Sequence, residues 1–359
     1  MAGVFVYLQP NMKFGKFIKY LLLLIVVVAL YVAYQFFGPA VSTKTNSEYF
    51  YLKSGLITEE AIAQLKTQGF LSDTKWASYA ASALKYNNVK PGRYSFPAGT
   101  SVFSIVRKLK NGNQTLVKLS IIKEQTKELL AGKIGNKLDT ECDSLELINF
   151  MNNNDSLASF NVDTNTVMAL VMPYNYELKW NDSPRKIFEQ FAKSYQKYWT
   201  DNQKEKAAKL GLSPIQVSIL ASIVEEETNK KSDRLKIAST YLNRLKIGMR
   251  LQADPTVKFV TKNFNLGRIM KGHLALDSKY NTYKNEGLPP GPICTPSFNA
   301  IESVLNAPQT NYLYFVASYQ FDGSTIFTSN YEDHSKFVAL FHKEQNRRAD
   351  SIRKLKAIE

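Results

Sequence analysis

At 359 residues, with 44% hydrophobic and 12% aromatic content, the chain can bury a substantial core and is long enough for two folded units. Low-complexity tracts and fixed-period repeats are absent, which excludes disordered, fibrous and solenoid architectures. The formal charge of +15 is spread along the chain without any nucleic-acid-binding motif, so it does not mark a DNA- or RNA-binding protein.

In chain order, the first signal is an apolar run. Tyr20 to Tyr34 contains no charge or amide, and Phe17, Ile18, Phe36 and Phe37 extend it to membrane-spanning length. Residues 17–37 therefore read as a transmembrane helix. Lys13, Lys16 and Lys19 precede it without an acidic residue, which keeps residues 1–16 in the cytoplasm and exports the rest. The rival is a cleaved signal peptide, with Gly38-Pro39-Ala40-Val41-Ser42 as its cleavage region. An apolar core longer than a usual signal core, aromatic to its end, favours the uncleaved anchor.

Residues 42–122 read as a small α+β unit. Tyr49 to Leu52 is strand-like, and Thr58 to Gln68 and Trp76 to Leu84 are helices. Pro91-Gly92-Arg93-Tyr94 is a turn, and Ser101 to Leu109 is a helix with Val102, Ile105, Val106 and Leu109 on one face. Asn111-Gly112-Asn113 stops that helix, and Leu116 to Ile122 alternates as a closing strand. Beyond it, Lys123 to Asn153 looks helical, Val167 to Tyr176 is an apolar strand, and Ser183 to Trp199 is an amphipathic helix.

Cys142 and Cys294 have no metal-motif spacing and are expected to be free and buried, although an exported chain permits their pairing. His273, His334 and His342 are scattered and no Gly-rich phosphate loop is present. The expectation is no metal and no cofactor.

Ser213, Pro214 and Gln216 read as N-cap, first and third residues of a capped helix. Ile215, Ile219, Leu220, Ile223 and Val224 form its apolar stripe, and Ser218, Ala221 and Ser222 form a strip of small side chains where a bulky partner can lie. The helix ends in Glu225-Glu226-Glu227-Thr228. By themselves, three glutamates at a helix end describe a solvated face. Successive helical residues point about 100° apart, however, so the three carboxyls meet different environments.

Neighbouring segments give the glutamates a context. Leu220 to Thr228 (LASIVEEET), Tyr241-Leu242-Asn243-Arg244-Leu245, Gly248 to Val257 (GMRLQADPTV), Tyr280-Asn281-Thr282-Tyr283, Gly287 to Ile293 (GLPPGPI), Tyr312 to Ala317 and His334 together resemble the endolytic murein transglycosylases of the MltG, or YceG-like, family. Val89 to Gln114 resembles the LysM-like domain that precedes the catalytic domain there.

The resemblance implies an α+β architecture. It comprises an N-terminal transmembrane helix, a LysM-like domain at 42–122, a YceG-like catalytic domain at 123–345 and a basic tail at 346–359. It implies endolytic cleavage of the MurNAc-β-1,4-GlcNAc bond in nascent peptidoglycan strands, leaving 1,6-anhydroMurNAc ends. A non-catalytic glycan-binding scaffold and a water-using muramidase are the rivals. Glu225 matches the family's catalytic position, and burial against Leu220, Ile223 and Val224 is expected to raise its pKa. Glu227, Gln252, Asp254, Asn281 and Tyr283 match positions expected to bind or orient substrate. Arg244 is expected to be structural.

The Gly287–Pro292 run must be a shaped loop. Tyr312 to Ala317 is expected as a buried strand and Thr325 to Thr328 as another. Family members often carry histidine at the position of Thr325, which leaves its role open, as for His334. Peptidoglycan strands, the inner membrane and, by analogy, peptidoglycan synthases are the partners implied, with the body in the periplasm. The basic charge then suits anionic headgroups and the carboxylates of cell-wall peptides.

Overall fold

The computed structural model describes residues 12–41, 48–138 and 143–356. The chain divides into two compact units, Met1–Val117 with Lys179–Asn181, and Lys118–Leu178 with Asp182–Glu359.

The first unit begins with the helix Met12–Phe37. Its stretch Lys16–Phe37 is long and apolar enough to cross a membrane, and its large side chains from Phe17 onward are mostly exposed. Strand Phe50–Leu52 then pairs antiparallel with Gly92–Tyr94, Phe50 opposite Tyr94 and Leu52 opposite Gly92. The expected turn at Pro91–Tyr94 is thus a strand. Phe50, Leu52 and Tyr94 are buried on one face of the pair, and Gly92 sits at φ 152, where a side chain would be strained and its Cβ would displace the Gln114 side chain.

Helices Thr58–Thr67, Lys75–Leu84 and Val102–Asn111 complete the core around Phe50, Leu65, Phe70, Ile105 and Leu109. Ser101 caps the last of these by accepting from Ser104 N at 3.3 Å, and Gly112 ends it in the left-handed region.

The second unit opens with helices Lys127–Leu138 and Ser144–Met151 in place of the one long helical stretch expected; Cys142 lies outside the described residues. The expected strand Val167–Tyr176 is a 3₁₀ helix, Val167–Leu170, followed by a strand only at Asn175–Leu178. A run buried on all sides has no periodicity to separate strand from helix. Asp163, whose Oδ1 accepts from Asn165 N and Thr166 N, starts a helical turn there.

Helices Pro184–Tyr198 and Asp201–Lys209 lead to the central helix Pro214–Glu227. Its capping box is as expected: Gln216 N donates to Ser213 Oγ at 3.2 Å and Ser213 N donates to Gln216 Oε1 at 2.8 Å. Its burial is not an amphipathic stripe. Every residue from Val217 to Val224 is buried, the small strip included. The partner lying on that strip is the chain itself, because Ile293 N donates to Ser222 Oγ at 3.0 Å and the free, buried Cys294 sits against Ser222 O.

Around the central helix pack Lys231–Lys246 and Phe298–Leu305, with the shorter Asp254–Thr261 at its far end. A hairpin comes next, Tyr314–Ala317 paired antiparallel with Thr325–Thr328. Its first strand is half-buried, whereas a buried one was expected: Tyr314 is covered in part by the His334 and Tyr331 rings and the Arg244 guanidinium, and Ala317 at its end is exposed. Helix Tyr331–Lys356 closes the chain. The expected boundary at 345/346 falls inside it, and Glu344 accepts from Arg347 and Arg348 at 2.7 and 2.8 Å, so part of the basic run is held as helical ion pairs.

Candidate active site

The last turn of the central helix presents three carboxyls in three directions. Glu225 Oε1 lies 3.2 Å from Arg234 Nη2, with side-chain exposures of 11% and 9%. Arg234 is itself fixed by donating from Nε to Thr228 O at 2.8 Å. Glu225 Oε2 accepts from Ser297 N at 3.3 Å and from the Ser297 hydroxyl. Ser297 is the N-cap of helix Phe298–Leu305, so the carboxylate also meets the positive end of that helix. The apolar flank expected to enclose Glu225 turns into the core instead: Leu220, Ile223 and Val224 are fully buried there.

Glu226 turns the other way and pairs with Lys123 at 2.8 Å. Glu227 faces Tyr241 and is enclosed between the central helix and its neighbours. Enclosure pushes it up to about 7, against the hydrogen bond from Tyr241 Oη at 2.5 Å, which pulls it down; the negative charge of Asp254 adds to the rise. Tyr241 is buried as well, and its phenol is pushed far up by the same enclosure.

Beside Glu227 two segments are laced together. Gln252 N donates to Thr282 O at 3.1 Å and Ala253 N to Thr282 Oγ1 at 2.9 Å. Between them Gln252 is held at φ 49 with its side chain exposed, a left-handed backbone that costs a non-glycine residue about 1–3 kcal/mol and concentrates at functional sites. Tyr283 Oη donates to Asp254 Oδ1 at 2.6 Å, and Asp254 is exposed. Tyr283's phenol is raised by burial first and by that carboxylate second.

Asn281 is placed differently from a ligand contact. It is fully buried, donating from Nδ2 to Leu274 O at 3.0 Å and Leu276 O at 2.8 Å and accepting from Tyr283 N at 3.0 Å. Its amide therefore sets the loop that carries Tyr283. Arg244 is buried on Leu313 O at 2.7 Å and Leu251 O, as a structural residue.

Thr325 donates to the buried Asp233 at 2.8 Å, and His334 stacks on Tyr314 with its pKa lowered by burial. Among the described residues no cluster of metal-ligating side chains forms. Sequence reasoning did not name Arg234, Ser297, Lys123 or Tyr241 as site residues. Only Tyr241 had a visible signal, its place in the YLNRL segment; the other three are brought in by packing.

Fold and site together define a mixed helix-and-sheet protein with an N-terminal apolar helix and a carboxyl-rich site at the end of a buried central helix. The chain belongs to the YceG-like family, whose model matches residues 50–340. A protein of Bacillus subtilis named endolytic murein transglycosylase is 38% identical over 148 residues, 41% of this chain and 40% of that one. One of the same name from Streptococcus pneumoniae is 40% identical over 124 residues, 33% of this chain and 22% of that one. The matched region thus spans well under two thirds of the curated relatives. A crystal structure of a yceG-like protein from Listeria monocytogenes superposes with a TM-score of 0.53 at 26% identity, over 80% of this chain and 98% of that chain.

Proposed function

We propose that the protein is an endolytic peptidoglycan lytic transglycosylase, with Glu225 as its catalytic residue. The observation that carries this reading is the divergence of three adjacent carboxyls onto different partners, Glu225 on Arg234 and Ser297, Glu226 on Lys123 and Glu227 on Tyr241. Separating carboxyl environments is how one site supplies acid and base chemistry at neutral pH. The names of the relatives and the matched motifs support the substrate.

In this reaction Glu225 protonates the glycosidic oxygen of the MurNAc-β-1,4-GlcNAc bond as the bond to C1 breaks. The resulting carboxylate takes the proton of the muramic acid C6 hydroxyl, whose oxygen bonds to C1 to close the 1,6-anhydro ring. No water is consumed. Arg234 and Ser297 hold the carboxylate in place between the two steps. Gln252, Asp254 and Tyr283 line the substrate side, and Asn281 acts through the loop it ties.

A second reading exchanges the roles of two glutamates. Burial raises the Glu227 carboxyl to about 7, which suits it to serve as the acid, with Glu225 stabilising positive charge at C1. Mass spectrometry of new ends on uncrosslinked strands separates the readings. Anhydro ends lost in Glu225→Gln alone support Glu225; ends lost in Glu227→Gln with Glu225→Gln retaining partial activity support the exchange. Reducing ends from the parent indicate a water-using muramidase, for which Asp254 is the second carboxylate to examine. No cleavage by the parent leaves a glycan-binding scaffold.

The same proposal places the protein in the inner membrane by the helix Lys16–Phe37, with the body in the periplasm near peptidoglycan synthases. The first unit, outside that helix, serves as a LysM-like module holding glycan.

A further inference from the structure

The outer end of the apolar N-terminal helix is not free. Tyr31 and Phe36 meet the Trp76 ring edge-on at 6.2 and 5.4 Å, and Phe37 meets Phe103 at 5.1 Å. The exit is pinned by backbone as well. Ala40 N and Val41 N both donate to Thr100 O at 3.1 Å, and Gly99 N donates to Val41 O at 3.0 Å, with Val41 buried in the core of the first unit. Backbone bonds and ring contacts therefore join the helix to the rest of its unit.

Depth is set by length. Lys16–Phe37 has 22 residues, which at about 1.5 Å each is about 33 Å, close to the roughly 30 Å hydrocarbon thickness of a bilayer. Tyr31 stands six residues before Phe37, so it lies about 9 Å below the helix end. A ring that touches both Tyr31 and Phe36 lies between that level and the level of Phe36, about 1.5 Å below the end, and so at the outer edge of the hydrocarbon layer. Trp76 is only half-buried there, and Tyr79, 52% exposed, sits one helical turn on with its ring 5.7 Å from Trp76. Tryptophan and tyrosine are the side chains that favour this boundary, where an apolar ring and a polar N–H or O–H are both accommodated.

We propose that Trp76 and Tyr79 insert into the headgroup–acyl boundary of the outer leaflet, so that the first unit is a second membrane contact. The occupant of this exposed aromatic patch is lipid, because the patch is continuous with a helix that spans it. This inference rests on reading Lys16–Phe37 as a membrane span. With the ring pair seated in lipid and the helix end held by its own unit, the height and orientation of the unit at the membrane surface are fixed.

The test uses the full chain in phospholipid nanodiscs, with acyl chains brominated either near the headgroup or near the bilayer centre. Trp180 and Trp199 are 2% and 1% exposed, so collisionally quenchable tryptophan emission reports Trp76. The expected result is quenching by shallow bromines at least about two-fold stronger than by deep ones, little quenching by aqueous iodide, and loss of the lipid-quenched component in Trp76→Phe. In the exposed-site variant Tyr79→Glu, lipid quenching should fall and iodide quenching rise. An alkaline carbonate wash of membranes distinguishes the two levels of failure. Protein that washes off overturns the span and this inference with it; protein that stays while Trp76 is quenched by iodide and not by bromolipid overturns this inference alone.

Discussion

Ser297 gives both of its donors to one oxygen of Glu225, its backbone N–H at 3.3 Å and its hydroxyl, while the same hydroxyl accepts from Ala300 N at 3.2 Å to cap the following helix. A helix start and a carboxylate thus share one serine. Ser297→Ala should cost about 1–2 kcal/mol in urea unfolding through the lost cap. Glycan cleavage should fall through kcat with KM little changed, and Ser297→Thr should restore most of both. A serine-to-alanine loss confined to stability would show that Glu225 does not depend on this contact for its work.

Arg234 and Glu225 are both nearly buried, so removing either leaves an uncompensated charge. Arg234→Met alone should destabilise by about 3 kcal/mol, whereas adding Glu225→Gln should recover part of that loss, because the orphaned carboxylate is gone. A double-mutant cycle in denaturant reads the coupling. Strictly additive losses would contradict a direct pair.

Glu227 keeps its proton in the folded chain to about pH 7, whereas the unfolded chain gives it up near the ordinary 4.5. Between those values the unfolded state binds fewer protons, so this group's contribution is fully present below pH 4.5 and is lost as pH rises toward 7. Parent and Glu227→Gln should therefore diverge in Tm across that window, the parent falling by several degrees relative to the variant, for an effect of about 2–3 kcal/mol. Parallel curves would place the carboxyl's titration outside the window.

Asn281 and Gln252 occupy opposite situations in neighbouring segments. Asn281→Ala leaves two half-buried carbonyls and one N–H without their partner and should cost about 2–4 kcal/mol, seen as a lower urea midpoint. Gln252→Ala should leave stability within about 0.5 kcal/mol and raise KM, because its side chain is exposed. Gln252→Gly should stabilise slightly by relieving the left-handed backbone. Equal stability losses for Asn281→Ala and Gln252→Ala would contradict this division.

Local signals in the sequence are those that survive in the structure. Ser213, Pro214 and Gln216 announce the central helix because a capping box is encoded within four residues, and Gly112 announces a helix end because only a local φ is involved. The misreadings share another cause. Val167–Val171 is buried on all sides, which erases periodicity, and Gly92 becomes a strand residue only when Phe50–Leu52 arrives to pair with it. At the site, the three glutamates were visible but their partners were not. Ser297 lies 72 residues from Glu225 and its contact is made by packing, so nothing in the local pattern encodes it.

Each glutamate of the triplet fastens a different part of the second unit to one helical turn: Lys123 from its start, Arg234 and Tyr241 from the next helix, Ser297 from far downstream. The consequence is an order of assembly: during biogenesis the three carboxyls acquire all of these partners only when the last of the distant pieces docks, so a chain cut short before Ser297 carries the glutamates without them.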